Sequence, residues 1–325
     1  GAVWTCSLSA DGQFLLTGSD DDTARLWNAR GECLYVLKGD VGWVDGACSL
    51  SADGQFLLTG SRDDTARLWN ARGECLCILK GHTNMLRGCA FSADGQFLLT
   101  ISGDSTARLW NVQGECLCVL KGHTGWFEAC ALSADGRFLL TTAEDGTARL
   151  WNAQGECLHI LQGHTGAVHA CSLSADGRVL LTGSDDGTAR LWDAQGKCLH
   201  IFQDLKFPVR SCSVSADGQT LMVASFTRLH HWRRDGEAWR CDLDLCHTTG
   251  TRVYLDTRTQ TLKIDGPDWH LWQLHNVVEP SVRNRLGETI ADFGPLAHEQ
   301  LANAADWHSL PASAHDGTDG FGHAC

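Results

Sequence analysis

Histidine, serine and aspartate recur at fixed distances along this chain, and together they can perform hydrolysis. One such set consists of His164, Ser184 and Asp186. In hydrolases of several folds, a histidine takes the proton from a serine hydroxyl and a carboxylate orients the histidine. Residue type alone therefore makes this stretch a candidate for nucleophilic catalysis.

The same set returns elsewhere in the chain, which favours a structural role. His82 with Asp104 and His123 with Asp145 have the same separation of 22 residues. An enzyme needs one site, whereas a device that supports a repeated fold is present in each copy. We expect these side chains to satisfy buried polar groups, which are costly when left unpaired. The sequence therefore predicts no catalytic residue and no enzyme.

A block of about 41 residues repeats down the chain and is marked by the tetrapeptide Ser-Ala-Asp-Gly. Successive tetrapeptides are 42, 41, 41, 41 and 41 residues apart and begin at Ser9, Ser51, Ser92, Ser133, Ser174 and Ser215. A period of this length indicates stacked supersecondary units, none of which can bury its apolar face alone. The 325 residues therefore predict one closed repeat domain rather than two separate domains.

Each copy has the pattern of four short strands. In the fifth copy they are predicted at 168–174, 179–184, 188–192 and 198–202, separated by turns that contain glycine. Four antiparallel strands without a helix need neighbours on both faces of the sheet, and radial repetition supplies those neighbours. The predicted fold is all-β, a β-propeller of four-stranded antiparallel blades.

Residues that recur in phase resemble the WD-repeat (WD40) propeller family over about residues 2 to 275. They are a Gly-His pair before the first strand, an aspartate in the second turn and a tryptophan that ends the third strand. The tryptophans are Trp27, Trp69, Trp110, Trp151, Trp192 and Trp232. Only Trp192 is followed by the aspartate that gives the family its name, and four copies have asparagine there.

The resemblance implies a hydrogen-bond network that links a loop histidine, a strand-two hydroxyl, the turn aspartate and the tryptophan indole. Its members would be His82, Asp104 and Trp110 in blade three, His123, Asp145 and Trp151 in blade four, and His164, Asp186 and Trp192 in blade five. In blade five the hydroxyl would belong to Thr182 or Ser184.

The resemblance and the period together predict a seven-bladed propeller over residues 1–278. The blades begin near residues 2, 43, 85, 126, 167, 208 and 250, and the last two are divergent. Residues 253–257 and 269–272 echo the first and third strands in the seventh blade. Residues 279–325 are predicted to form an extension, with short helices at 281–293 and 296–307 and a disordered tail from 312. Because the chain opens inside a repeat, we expect it to be part of a longer polypeptide.

Composition narrows the class of partner. A net charge of -13 repels nucleic acid unless positive charge is clustered, and the only basic cluster, at 230–234, is short. No apolar run approaches the roughly 20 residues that span a bilayer, and no signal-peptide pattern opens the chain. We therefore expect a cytoplasmic protein that binds neither nucleic acid nor membrane and carries no cofactor.

The 16 cysteines follow the repeat rather than forming pairs. One position holds Cys6, Cys48, Cys89, Cys130, Cys171 and Cys212, and another holds Cys33, Cys75, Cys116, Cys157, Cys198 and Cys241. Copies of one position are separated by the repeat translation, so we expect small buried apolar side chains in a reducing compartment. No spacing typical of a metal site occurs.

Three positions differ between copies that are otherwise nearly identical. The first, at the start of strand one, holds Trp4, Asp45, Arg87, Glu128, His169 and Arg210. The second, two residues earlier, holds Trp43, Met85 and Trp126 in the three middle copies. The third, just before the turn aspartate, holds Asp20, Arg62, Glu144, Asp185 and Phe226. In the geometry of WD-repeat propellers, all three lie on one rim around the central channel, and we name these residues the variable ring.

We interpret the variable ring as a surface that recognises a protein or peptide. Aromatic residues and arginine dominate binding hot spots, and an exposed tryptophan without a partner promotes aggregation. Drift at unconstrained positions would instead give mostly small polar residues. Two alternatives remain: a constitutive assembly scaffold within a larger signalling protein, and a propeller enzyme with its site at the channel mouth. If the chain is a sensor propeller that recognises a partner through the ring, related alleles should differ mainly at the ring. If it is a constitutive scaffold, they should not.

Overall fold

The computed structural model describes residues 2–38, 47–203, 205, 207–225, 228–236 and 238–247, and five later strands within 252–292. In this part of the chain the secondary structure is all-β, with no helix. No segment of the described residues is therefore a helix long and apolar enough to cross a membrane.

Turn chemistry explains why the tetrapeptide recurs. In the fifth copy the Ser174 hydroxyl donates to the Asp176 carboxylate (2.6 Å), and the backbone N–H of Val179 donates to the Ser174 hydroxyl oxygen (3.0 Å). Gly177 has a φ of +68°, in the left-handed region that favours glycine. Serine, aspartate and glycine each have a role in closing this turn, so a copy that keeps the turn keeps all three.

Six sheets follow one another along the chain as blades one to six. Blade one contains β1 (Val3–Leu8), β2 (Phe14–Ser19), β3 (Ala24–Asn28) and β4 (Cys33–Leu37). Blade two contains β5 (Cys48–Leu50), β6 (Phe56–Gly60), β7 (Ala66–Asn70) and β8 (Cys75–Leu79). Blade three contains β9 (Leu86–Phe91), β10 (Phe97–Ser102), β11 (Thr106–Asn111) and β12 (Cys116–Lys121).

The remaining three blades continue the same order. Blade four contains β13 (Phe127–Leu132), β14 (Phe138–Ala143), β15 (Ala148–Asn152) and β16 (Cys157–Leu161). Blade five contains β17 (Val168–Leu173), β18 (Val179–Ser184), β19 (Ala189–Asp193) and β20 (Cys198–Phe202). Blade six contains β21 (Val209–Val214), β22 (Thr220–Ser225), β23 (Arg228–Asp235) and β24 (Ala238–His247). Neighbouring strands within each blade are antiparallel, as predicted.

The hydrophobic core lies between consecutive blades. First strands of neighbouring blades are in contact, from β1 with β5 to β17 with β21. Leu16 of blade one packs in one buried cluster with Leu57 and Trp69 of blade two. On the side of the Ser-Ala-Asp-Gly turns, the backbone N–H of Ala175 donates to the carbonyl of Ala216 in the next blade (3.0 Å). Each blade is therefore stabilised by its neighbours, as a repeat architecture requires.

The strands after β24 pair differently from those of blades one to five. β25 (Arg252–Asp256), β26 (Thr261–Asp265), β28 (Ser281–Arg283) and β29 (Thr289–Asp292) form one sheet, in which β26 and β28 are parallel. β27 (Trp269–Leu274) pairs antiparallel with β24 as the fifth strand of blade six. The sequence assigned this segment to the third strand of a seventh blade, so a count of seven blades stays a prediction.

The structure differs from the helix predicted at 281–293, because the described residues there are the strands β28 and β29. Val282, Thr289 and Ile290 are β-branched, and such side chains favour strands over helices. The helix predicted at 296–307 and the tail predicted from 312 lie outside the described residues.

The two cysteine positions differ in exposure. On the first strands, burial raises the pKa of Cys48, Cys130 and Cys212 to about 12, in agreement with their predicted apolar role, although Cys6 is exposed. The prediction was wrong for the fourth strands, where the exposed members are Cys33, Cys75, Cys116 and Cys157. The fourth strand is the last in its sheet in blades one to five, so no further strand covers it.

Candidate functional site

Blades three, four and five contain the same buried chain of hydrogen bonds. In blade four, Trp151 Nε1 donates to Thr141 Oγ1 (2.9 Å), which lies 3.0 Å from His123 Nε2, and His123 Nδ1 lies 3.0 Å from Asp145 Oδ2. The equivalent chains are Trp110–Thr100–His82–Asp104 and Trp192–Thr182–His164–Asp186. The nine residues that the resemblance assigned to this network therefore make the contacts it implies.

The structure also decides which hydroxyl takes part in blade five. Thr182 Oγ1 lies 2.8 Å from His164 Nε2, whereas the Ser184 hydroxyl donates to the carbonyl of Gly166 (3.1 Å). Thr182, rather than Ser184, is therefore the hydroxyl of this network in blade five.

The tryptophan indole can only donate and the aspartate carboxylate can only accept, so they set the direction of the bonds at the two ends. Thr141 accepts from the Trp151 indole, and His123 Nδ1–H donates to the Asp145 carboxylate. In the neutral ring Nε2 then carries no proton and accepts the hydroxyl proton of Thr141. This arrangement requires a neutral histidine. Burial lowers the pKa of His123 and outweighs the opposing effect of Asp145, which agrees with that requirement.

Acidification below about pH 6.5 is expected to destabilise the protein. Burial lowers the folded-state pKa of His82, His123 and His164, whereas the unfolded chain takes up these protons near the ordinary value. The unfolded state then binds more protons, so the free energy of unfolding decreases as the pH falls from about 6.5 through the lowered pKa values. Urea unfolding at a series of pH values measures this slope.

The variant His164→Gln serves as the control for the pH experiment. It is expected to reduce overall stability but also to make the pH slope shallower by one histidine's contribution. Asp186 adds nothing in this window, because its hydrogen bonds outweigh burial and keep its pKa below the ordinary value of 3.8. A slope equal to that of the original protein would show that His164 is already charged when folded.

Within a blade, backbone hydrogen bonds bring the variable positions together. The N–H of Asp185 donates to the carbonyl of Ala167 (2.9 Å), and the N–H of Glu144 donates to the carbonyl of Trp126 (2.9 Å). The first and second strands are antiparallel, so the start of one lies beside the end of the other. Residues far apart in sequence therefore meet at one end of each blade.

Between blades, the variable residues form a continuous series of ion pairs. Arg87 Nη2 lies 3.0 Å from Glu128 Oε1, and Glu128 Oε2 lies 3.1 Å from His169 Nδ1. His169 Nε2 then lies 2.8 Å from Asp185 Oδ2, whose second oxygen lies 3.2 Å from Arg210. We name these five residues the ion-pair chain. The ion-pair chain runs from blade three to blade six, so side chains on one face of these four consecutive blades contact one another.

The ion-pair chain is electrostatically self-consistent. Positive and negative groups alternate along it, and the hydrogen bond to Glu128, together with that to Asp185, raises the pKa of His169 despite its partial burial. Arg87, Glu128 and His169 are half-buried, so solvent screens their pairs less than it screens fully exposed ones. These side chains are therefore held in defined positions.

Two tryptophans at variable positions are exposed, one beside the ion-pair chain and one on blade one. The Arg87 guanidinium lies 5.2 Å from the ring centroid of Trp126, a cation–π contact, and Trp126 is still 48% exposed. Trp4 on blade one is 62% exposed. Two large apolar surfaces are thus available to a partner on the same set of variable positions.

The other predicted ring residues fall into three groups. The exposed members are Arg62, Glu144, Asp185 and Arg210. The half-buried members are Asp20, Met85, Arg87, Glu128 and His169. The predicted members Trp43, Asp45 and Phe226 lie outside the described residues. That any of these residues binds a partner stays a prediction.

Sequence reasoning missed the pairing between ring residues. The signal was present, because one repeat position alternates in charge from Arg87 to Glu128 to His169 at intervals of 41 residues. Alternation at the repeat interval indicates contact between consecutive blades when the position faces the next blade.

Among the described residues, no group of three or more His, Cys, Asp or Glu side chains is placed to hold a metal ion.

Antiparallel four-stranded sheets with cores between them and variable residues at one end define a β-propeller-like repeat protein. A family model of the WD40 repeat (WD domain, G-beta repeat) matches residues 1–28, 31–70, 73–111, 114–152 and 155–193. The chain belongs to the WD40-repeat family. Repeats of this family generally mediate protein interactions and scaffolding. No curated protein matches the chain.

Proposed function

We propose that this chain is a non-enzymatic binding propeller that recognises a protein or peptide through the variable ring. The observation that carries the proposal is the ion-pair chain, in which variable residues of consecutive blades contact one another. Positions that vary independently by drift have no reason to remain complementary in charge. Complementarity among them favours selection for a defined surface.

The ion-pair chain supports binding by fixing its neighbours before a partner arrives. Arg87 is held by Glu128 on one side and by the ring of Trp126 on the other. A side chain that is already ordered loses little conformational entropy on binding, so more of the contact energy appears as affinity. Trp126 then acts as an aromatic anchor for an apolar group of the partner.

The experiment that tests this proposal is capture of a partner by the intact chain and by two variants. Trp126→Ala removes an anchor on the ring, and Arg178→Ala removes a highly exposed side chain that follows the Ser-Ala-Asp-Gly turn of blade five. We expect the partner to be retained by Arg178→Ala and lost by Trp126→Ala. Retention by both variants would refute recognition through the ring.

We further propose that β25 and β26 form the inner hairpin of a seventh blade. Their register repeats that of β21 and β22 with a displacement of 41 residues: Val214 pairs with Leu221, and Leu255 pairs with Leu262. The place for this blade is the inner strand of blade one. Val3 is 62% exposed there, whereas its counterpart in blade six, Val209, is fully buried in a cluster with Leu181 and Leu191 of the preceding blade.

Cysteine alkylation followed by peptide mass spectrometry tests the seventh blade. If it packs against β1, Cys6 should react at a rate close to that of its counterpart Cys171, whose pKa is raised by burial. Exposed Cys33 provides the fast reference within the same molecule. Alkylation of Cys6 as fast as Cys33 would mean that this face stays open.

A further inference from the structure

The outer edges of the blades form a second surface, distinct from the variable ring. β4, β8, β12, β16 and β20 are the terminal strands of their sheets in the described part of the chain. A terminal strand presents backbone N–H and C=O groups that can pair with another strand. In blade six this edge is already occupied, because β27 pairs antiparallel with β24. The fold therefore accepts an added strand at this position.

The terminal strands of blades one to three also expose apolar side chains. Two alternating residues on each strand are between 37% and 49% exposed, and they are Leu34 and Val36, Leu76 and Ile78, and Leu117 and Val119. The leucine that follows each pair is buried at 1% exposure or less. The apolar pairs thus point away from the core in these blades, as Leu158 and Ile160 also do in blade four, and charge is what distinguishes the first three.

Charges at the ends of these strands make them complementary to themselves. β8 is preceded by Glu74 and followed by Lys80, both exposed. If two copies of β8 pair antiparallel about Cys77, Glu74 of each copy lies opposite Lys80 of the other. Glu74 accepts one hydrogen bond from Asn70 through Oε2, so its Oε1 remains for the lysine.

Blades one and three have the same arrangement, whereas blades four and five lack it. Glu32 and Lys38 flank β4, and Glu115 and Lys121 hold the corresponding places around β12. In blade four Glu156 is matched by the neutral Gln162. The complementary ends therefore coincide with the first three blades.

We infer that this chain binds a second copy by antiparallel edge-to-edge pairing of one outer strand, β4, β8 or β12, with the same strand of the second copy. Two identical antiparallel strands are related by a two-fold axis, which gives an isologous interface. Opposite charges directly across antiparallel strands stabilise the pair, and like charges destabilise it. The exposed apolar side chains lie together across this interface and are shielded from water.

Sedimentation velocity of the full chain over a range of concentrations tests this inference. The original chain should show reversible association. A triple variant, Lys38→Glu with Lys80→Glu and Lys121→Glu, places glutamate opposite glutamate and should raise the dissociation constant by about tenfold or more. The opposite triple variant, Glu32→Lys with Glu74→Lys and Glu115→Lys, should weaken association similarly although it reduces the net negative charge.

Mixing the two triple variants restores opposite charges across the edge, so association should return. Gln162→Glu on blade four is the matched control and should leave the association unchanged. A single monomeric species at every concentration would overturn the inference. So would association that survives both triple variants, or a loss of association in Gln162→Glu equal to that in the triple variants. Unfolding measurements on each variant exclude loss of the fold as the cause.

Discussion

Replacement of Trp151 with alanine is expected to lower the free energy of unfolding by about 3–5 kcal/mol. The side chain is 2% exposed and packs in a cluster with Leu109, Leu120 and Leu139, which includes residues of the preceding blade. Its removal leaves a cavity between two blades and takes the indole donor from Thr141. Equilibrium urea unfolding followed by circular dichroism measures the loss.

The variant Trp151→Phe separates the two contributions. It keeps an aromatic ring in the core but leaves the Thr141 oxygen without the indole donor, at an expected cost of about 1–3 kcal/mol. A loss equal to that of the alanine variant would mean that the hydrogen bond, rather than packing, dominates this site. A loss near zero would mean that the network does not stabilise the blade.

Replacement of Trp126 with alanine, in the same blade, is expected to have the opposite pattern. Its ring is half exposed and contacts Arg87 rather than the core, so the free energy of unfolding should change by about 0.5 kcal/mol or less. Affinity for the partner should fall by about 2 kcal/mol or more, which is roughly a 30-fold rise in Kd. Isothermal titration with the captured partner measures this change.

The two tryptophan variants act as controls for each other. Trp151→Ala is a stability variant with the ring intact, and Trp126→Ala is a ring variant with the core intact. If Trp126→Ala unfolds as easily as Trp151→Ala, Trp126 is a packing residue and the hypothesis of recognition through the ring fails. If Trp126→Ala keeps full stability and full affinity, the partner binds elsewhere.

The position of each strand was predictable because the signals that define it are local. Ser174, Asp176 and Gly177 close their turn through contacts within a few residues, so the same letters specify the same turn in each copy. The resemblance to the WD-repeat family likewise implied the hydrogen bond between His164 and Asp186, which the structure contains. These recurring residues were therefore enough to predict the family and the all-β fold.

Other features depended on which surface a neighbouring blade covers, and no local pattern records that. Cys33 and Cys171 belong to equally regular series, yet the first is exposed on a terminal strand and the second is half-buried against the preceding blade. Thr182 and Ser184 are both on β18, but only Thr182 faces His164. The sequence left the choice between Thr182 and Ser184 open, and it predicted burial for both cysteine positions.

The recognition surface shows the same division. Sequence comparison between copies identified Arg87, Glu128 and His169 as variable, because near-identity elsewhere makes variation visible. Only the tertiary structure joined them into the ion-pair chain, since residues 41 positions apart meet solely through the packing of consecutive blades. Local residue patterns determine the turns and strands of each repeat, whereas the contacts between blades depend on how the sheets pack against one another.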